Sequence, residues 1–220
     1  MARGIEQAAI VPVQDGESML ALEAVWLAPP AASREADAPT PLAVVAAPHP
    51  SYGGSLDNPV VTEIAHALRG CGAGTLRFNW RGVGASQGEV SADVEQAAAD
   101  FTAALDHVDQ GGPLIGAGYS FGAATAVRVA LRDPRVRALV LVAAPARMLA
   151  VLPLDALRVP VLFTAGTRDS YAPRAEIDAL LRDLPGARIE WLGGIDHFFG
   201  IGLGELAAAL REHLPHVVRV

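Results

Sequence analysis

Ser120 stands between two glycines in Gly118-Tyr119-Ser120-Phe121-Gly122, after the apolar run 113–117 and before the alanine-rich stretch 123–131. Strand, Gly-x-Ser-x-Gly, helix is a setting that activates a serine. A strained turn lifts the hydroxyl out of the sheet, and a side chain at either glycine would strike the neighbouring strand or helix. A serine hydroxyl attacks a carbonyl at neutral pH only when a base accepts its proton. That base needs an acid to fix its tautomer and stabilise its charge. Asp169 and His197 meet this need. Asp169 closes the run Val159-Pro160-Val161-Leu162-Phe163-Thr164-Ala165-Gly166-Thr167-Arg168-Asp169, just past a buried-strand pattern. His197 lies in Gly193-Gly194-Ile195-Asp196-His197-Phe198-Phe199, after the next strand pattern at 188–192. The order Ser, Asp, His, each residue following a strand, places all three at one sheet edge.

Other candidates fit less well. Asp155, Asp178 and Asp183 fall in loop or helical patterns, and Asp196, adjacent to His197, reads as a cap or loop residue. Asp169 has a plainer reading as a turn residue ahead of Pro173. His66, His107 and His213 lie in helical patterns and His216 in the tail, while His49 precedes the serine and breaks the order. A tetrahedral intermediate also needs donors for its oxyanion. The Phe121 N–H, at the start of a helix, is one. The second comes from the loop Pro48-His49-Pro50-Ser51-Tyr52-Gly53-Gly54-Ser55, as the N–H of Ser51 or Tyr52.

The elements that position these residues alternate along the chain. Segments 5–13 and 19–28 flank Asp15-Gly16 and predict an antiparallel hairpin, and 29–41 reads as an exposed loop. Strand patterns follow at 42–47, 75–80, 113–117, 136–143, 160–165 and 188–192. Helical patterns fall between or after them at 59–69, 91–108, 123–132, 174–184 and 204–214. In the second helix Val94, Ala97, Phe101, Leu105 and Val108 form one core-facing stripe, with Asp93 and Glu95 in its first turn. Alternation of this kind implies a mostly parallel sheet with helices on both faces and a ligand site beyond the carboxyl ends of the strands.

Composition narrows the function classes. The 220 residues, 51% hydrophobic, suffice for one α/β domain spanning 1–220. A net charge of −7 with no Lys/Arg-rich run argues against a nucleic-acid partner. The start of the chain lacks a secretory pattern and no run of eighteen apolar residues exists, so the expectation is a cytoplasmic protein without a membrane partner. The six histidines are scattered and Cys71 is the single cysteine, so neither a metal site nor a disulfide is expected. Gly116-x-Gly118-x-x-x-Gly122 also resembles a dinucleotide fingerprint, but the following strand ends Val142-Ala143-Ala144-Pro145 without the acidic residue that would hold a ribose. No cofactor is expected. Gly82-Val83-Gly84 reads as a tight turn whose following loop borders the site. Tyr52, Trp80, Phe198 and Phe199 read either as an apolar pocket or as core.

Together the Gly-x-Ser-x-Gly pentapeptide, Asp169, His197, the His49-Pro50-Ser51-Tyr52-Gly53-Gly54 loop and the segment Arg77-Phe78-Asn79-Trp80-Arg81-Gly82-Val83-Gly84-Ala85-Ser86 resemble the α/β-hydrolase superfamily, within it the small lidless bacterial serine hydrolases. The resemblance runs from about Met19 to the C-terminus. It implies an eight-stranded sheet with an antiparallel second strand, a Ser-Asp-His triad, and ester hydrolysis as the commonest chemistry; the reading adopted is hydrolysis of small soluble esters or thioesters. Lidded members insert a helical subdomain after the sixth strand. Residues 145–158 are too few for one, so the triad should be open to water. The same fold also serves acyltransferases, lyases, perhydrolases and ligand sensors, which remain alternatives.

Overall fold

The computed structural model describes residues 4–31 and 39–218. Of the loop expected at 29–41, residues 32–38 lie outside the described residues. The chain opens with β1 (Glu6–Asp15) and β2 (Ser18–Leu27), antiparallel and joined by a two-residue loop in which Gly16 takes the left-handed φ of +60°. Then come β3 (Leu42–Ala46), α1 (Pro59–Gly70), β4 (Gly74–Phe78), α2 (Val94–Val108), β5 (Leu114–Tyr119) and α3 (Phe121–Ala130). The chain continues through β6 (Val136–Val142), the one-turn α4 (Ala146–Leu149), β7 (Val161–Gly166), α5 (Arg174–Leu181), β8 (Ala187–Leu192) and α6 (Leu203–His213).

The eight strands form one sheet in the order β1-β2-β4-β3-β5-β6-β7-β8. β2 pairs antiparallel with both β1 and β4, and all remaining pairs are parallel. Strands β3 to β7 are almost wholly buried, as runs such as Leu42-Ala43-Val44-Val45-Ala46 require when helices cover both faces. Two neighbouring residues of β4 show the two faces directly. Arg77 Nη1 donates to Thr62 Oγ1 on α1, whereas the Phe78 ring packs edge-on against Phe101 of α2. Successive strand side chains point to opposite faces, so α1 and α2 cover opposite sides. α6 packs beside α1, while α3 packs beside α2.

Several boundaries differ from the expected ones for local reasons. β5 runs on to Tyr119 and α3 starts at Phe121, so Ser120 alone forms the strand-to-helix joint. Asp93 precedes its helix as N-cap rather than lying in the first turn: its Oδ1 accepts the N–H groups of Glu95 and Gln96 at 2.9 Å each. The Gly82 to Gly84 turn is present, with φ of +70° and +59°. Its following loop, however, hydrogen-bonds to β2 through Ala21 and Glu23, beyond the residues 24–27 that pair with β4. The 143–160 connection holds α4 and a 3₁₀ turn at Leu154–Ala156, and no lid subdomain. Among the described residues no helix is long and apolar enough to cross a membrane.

One buried ion pair ties α2 to this frame. Arg81 Nη2 donates to Asp100 Oδ1 at 2.7 Å, its backbone N–H meets Asp100 Oδ2 at 3.1 Å, and Nη1 reaches Asp15 Oδ1 at 3.0 Å. Removing one partner of a buried pair strands the other charge. Asp100→Ala is therefore expected to lower unfolding stability by about 3–5 kcal/mol in chemical denaturation.

Candidate active site

The parallel strands β3, β5, β7 and β8 end at one edge of the sheet, and each hands on a loop that carries part of the site. At the end of β5, Ser120 takes φ 54° and ψ −116°, a backbone conformation of order 1–3 kcal/mol above the common ones. The surrounding structure holds it there. Ser120 N–H donates to Val142 O at 2.8 Å, and its carbonyl accepts from Ala124 N–H at 3.2 Å, opening α3. The flanking glycines are mechanical necessities. A Cβ on Gly118 would lie 2.5 Å from the Gly122 carbonyl carbon, and one on Gly122 would lie 2.5 Å from Ala47 O and 2.6 Å from Ala46 O. The turn is thus pressed between the start of α3 and the end of β3.

The three expected side chains meet. Ser120 Oγ lies 2.9 Å from His197 Nε2, and His197 Nδ1 lies 2.8 Å from Asp169 Oδ2. With its proton on Nδ1, the imidazole turns a lone pair toward the serine hydroxyl. The second carboxylate oxygen of Asp169 is also occupied, accepting the N–H groups of Tyr171 at 2.8 Å and Ala172 at 2.9 Å, so Asp169 is turn residue and imidazole partner at once. The Tyr119 hydroxyl donates to the His197 carbonyl at 2.6 Å and fixes that residue's backbone. Burial first, then the charges of Asp169 and Asp196, push that phenol far above its ordinary range, so it stays a donor.

The loops that carry Asp169 and His197 are stapled together. Thr167 N–H donates to Leu192 O at 2.8 Å, Arg168 N–H to Ile195 O at 2.9 Å, and Thr167 Oγ1 accepts Gly194 N–H at 2.9 Å. The approach is so close that a Cβ on Gly166 would overlap the Ile195 carbonyl. Asp196 is the expected loop residue, its Oδ1 accepting Phe198 N–H at 3.0 Å.

The loop after β3 is pinned at both ends by β4 and the residues just beyond it. Trp80 Nε1 donates to the carbonyls of Ala47 and Pro48, both at 3.1 Å. Arg77 Nη1 donates to Leu56 O at 2.9 Å, and Asn79 Oδ1 accepts Leu56 N–H at 2.7 Å. These roles for Arg77, Asn79 and Trp80 were missed at the sequence level. The signal available was polar residues alternating inside an apolar strand, where each must find a partner.

Within the loop, the two expected oxyanion donors are otherwise engaged. Pro50–Tyr52 forms a 3₁₀ turn, Ser51 N–H donates to His49 Nδ1 at 3.2 Å, and Tyr52 N–H donates to His49 O at 3.1 Å. The His49 backbone N–H makes no hydrogen bond among the described residues. The His49 ring sits 5.1 Å from that of Phe121, whose N–H is one of the unpaired donors that open α3. The expected aromatic set divides. Trp80 and Phe199 are core, whereas Tyr52 and Phe198 are exposed. The triad itself is less open to water than the short segment 145–158 implied. Ser120 is 8% exposed, His197 6% and Asp169 5%, because the loops themselves cover it. Cys71 stands apart, with burial pushing its thiol up and away from nucleophilic use.

The comparisons agree with this geometry. The family model for the alpha/beta hydrolase fold matches residues 49–184. A curated protein of Rickettsia prowazekii, itself uncharacterized, is 30% identical over 187 residues, covering 79% of this chain and 78% of that protein. Among solved structures, an alpha-beta serine hydrolase homologue from Coxiella burnetii is 29% identical with a TM-score of 0.78, covering 94% of this chain and 97% of the other. A serine hydrolase without a lid from Xanthomonas campestris is 26% identical with a TM-score of 0.78, covering 97% and 96%. The chain belongs to the α/β-hydrolase fold family.

Two measurements test the site's construction. Gly166→Ala forces the 193–197 loop away from β7, and the downfield Nδ1 proton signal of His197 is expected to disappear from the proton NMR spectrum. Burial, followed by the charge of Arg147, holds the His49 pKa below 6.5. The unfolded chain therefore takes up this proton first, and His49's contribution to stability is lost as pH falls below 6.5. An NMR titration of His49 is expected to give a midpoint below 6.5, with the Ser51 amide signal shifting in parallel.

Proposed function

We propose that this protein is a serine hydrolase that cleaves carboxylic esters or thioesters of small molecules through an acyl-enzyme. The observation that carries the reading is the unbroken line from Ser120 Oγ through the His197 imidazole to the Asp169 carboxylate, at 2.9 and 2.8 Å. A structural network could use the same residue types. It would not place the serine in a strained joint between strand and helix.

In this mechanism His197 Nε2 takes the Ser120 proton as Oγ attacks the substrate carbonyl. The carbonyl oxygen becomes an oxyanion, held by the backbone N–H groups of Phe121 and, in our assignment, His49. The tetrahedral intermediate collapses, the imidazolium gives its proton to the leaving alcohol or thiol, and an acyl group stays on Ser120. Water then enters, loses a proton to His197 and attacks the acyl carbonyl. Collapse of the second intermediate returns that proton to Ser120 Oγ and frees the acid. Asp169 keeps the imidazole in the right tautomer throughout and stabilises its charged form. Two lower barriers replace one high barrier.

Ser120→Ala is expected to fold normally and to lose turnover of short-chain aryl esters by several orders of magnitude. Asp169→Asn keeps the size of the side chain but favours the wrong tautomer, and is expected to lose about 10⁴-fold in kcat. Steady-state assays with circular dichroism as a folding control check both. Wild-type turnover in folded Ser120→Ala would remove the proposal.

A further inference from the structure

Two aromatic side chains at the site have no part in the steps above. Tyr171 and Phe198 are exposed, at 43% and 70%. Single exposed aromatics are ordinary surface features. These two, however, stand against the base itself. The Tyr171 ring centroid lies 4.5 Å from that of His197, and the Phe198 centroid lies 5.5 Å away at an interplanar angle of 89°. The two rings meet each other edge to face, 6.2 Å apart.

Their placement is fixed by the turns that hold the acid and the base. Tyr171 N–H donates to Asp169 Oδ1, and its carbonyl accepts Ala146 N–H at 2.9 Å. Phe198 N–H donates to Asp196 Oδ1, and the next residue, Phe199, is anchored in the core with its ring edge-on to Tyr119. The chain therefore holds two aromatic rings, Tyr171 partly and Phe198 largely in water, beside the imidazole.

The path of the proton decides which part of a substrate meets them. His197 Nε2 must hand its proton to the leaving oxygen or sulfur, so that atom lies within hydrogen-bond reach of the imidazole. Whatever is attached to it extends over the imidazole's neighbours. In our assignment the carbonyl oxygen is held by other groups, the amides of Phe121 and His49, residues whose rings lie 5.1 Å apart.

We propose that Tyr171 and Phe198 form a leaving-group subsite, so that this chain selects esters and thioesters carrying an aromatic or other flat apolar group on the alcohol or thiol component. The inference rests on the serine-hydrolase reading. Aromatic rings packed offset or edge to face gain beyond simple burial, and two such contacts correspond to a preference of roughly tenfold or more.

The test holds the acyl group constant and varies the alcohol. Ethyl, butyl and 2-phenylethyl acetate all pass through the same acetyl-enzyme, so differences in kcat/KM report the leaving-group side. The expected result is a kcat/KM at least roughly tenfold higher for 2-phenylethyl than for ethyl acetate, falling toward unity in the Tyr171→Ala/Phe198→Ala double variant. Phe198→Leu, which keeps apolar surface without the ring, is expected to retain part of the ratio. A ratio near one in the wild type, or one that survives in the double variant, overturns the subsite. Hydrolysis of all three esters without preference defeats only this inference. Absence of turnover with every ester defeats the hydrolase reading beneath it.

Discussion

Backbone segments approach one another at this site more closely than any side chain would permit, and the alignment of Ser120, His197 and Asp169 depends on that approach. Gly122 sits against the carbonyls of Ala46 and Ala47, Gly118 against the first turn of α3, and Gly166 against Ile195. Each contact closes one gap between neighbouring loops at the carboxyl edge of the sheet. Hydrogen bonds of 2.8 and 2.9 Å tolerate little displacement, so the triad tolerates little displacement of these segments. The strain at Ser120 belongs to the same arrangement. A serine at φ 54° is held by the Val142 carbonyl on one side and by α3 on the other, and its hydroxyl points to the imidazole in consequence.

A second constraint acts through buried polar groups. Arg77, Asn79 and Arg81 are all nearly inaccessible, and a buried donor without a partner is costly. Each therefore admits few arrangements of its surroundings. Arg77 and Asn79 take both backbone groups of Leu56, while Trp80 takes the carbonyls of Ala47 and Pro48. The loop between these anchors bends sharply through Pro50–Tyr52 and passes Gly54, where a Cβ would overlap the Pro48 carbonyl. Polar satisfaction in β4 and the residues after it thus sets the position of a loop that β4 does not precede in sequence. Such a network specifies one geometry more sharply than apolar packing does.

Much of this is legible in the sequence, for reasons visible in particular residues. Ser120, Asp169 and His197 each follow a short apolar run, and a parallel sheet brings the ends of such runs to one edge. Their meeting followed from strand periodicity and chain order. The hairpin was legible from Asp15-Gly16, and the absence of a lid from the shortness of segment 145–158. The geometry of the loop after β3 was not. Its glycines announced a turn, but the commitment of the Ser51 and Tyr52 amides to His49 depends on φ and ψ values that Pro50 and Gly53 set jointly. Phe198 and Phe199 are adjacent and chemically identical, yet one is exposed and the other core. Only the φ of +51° at Phe199 and the packing of Tyr119 separate them. The docking of the 82–88 loop on β2 escaped because pairing of this kind is decided between distant segments.

The central claim is that Ser120 becomes covalently acylated during turnover. Rapid acid quench of the wild-type protein with a short-chain aryl ester, followed by intact-mass measurement and peptide mapping, tests it directly. The account predicts a mass increase equal to one acyl group, located on Ser120 and decaying as the substrate is consumed. Turnover with no adduct, or an adduct on another residue, would contradict it.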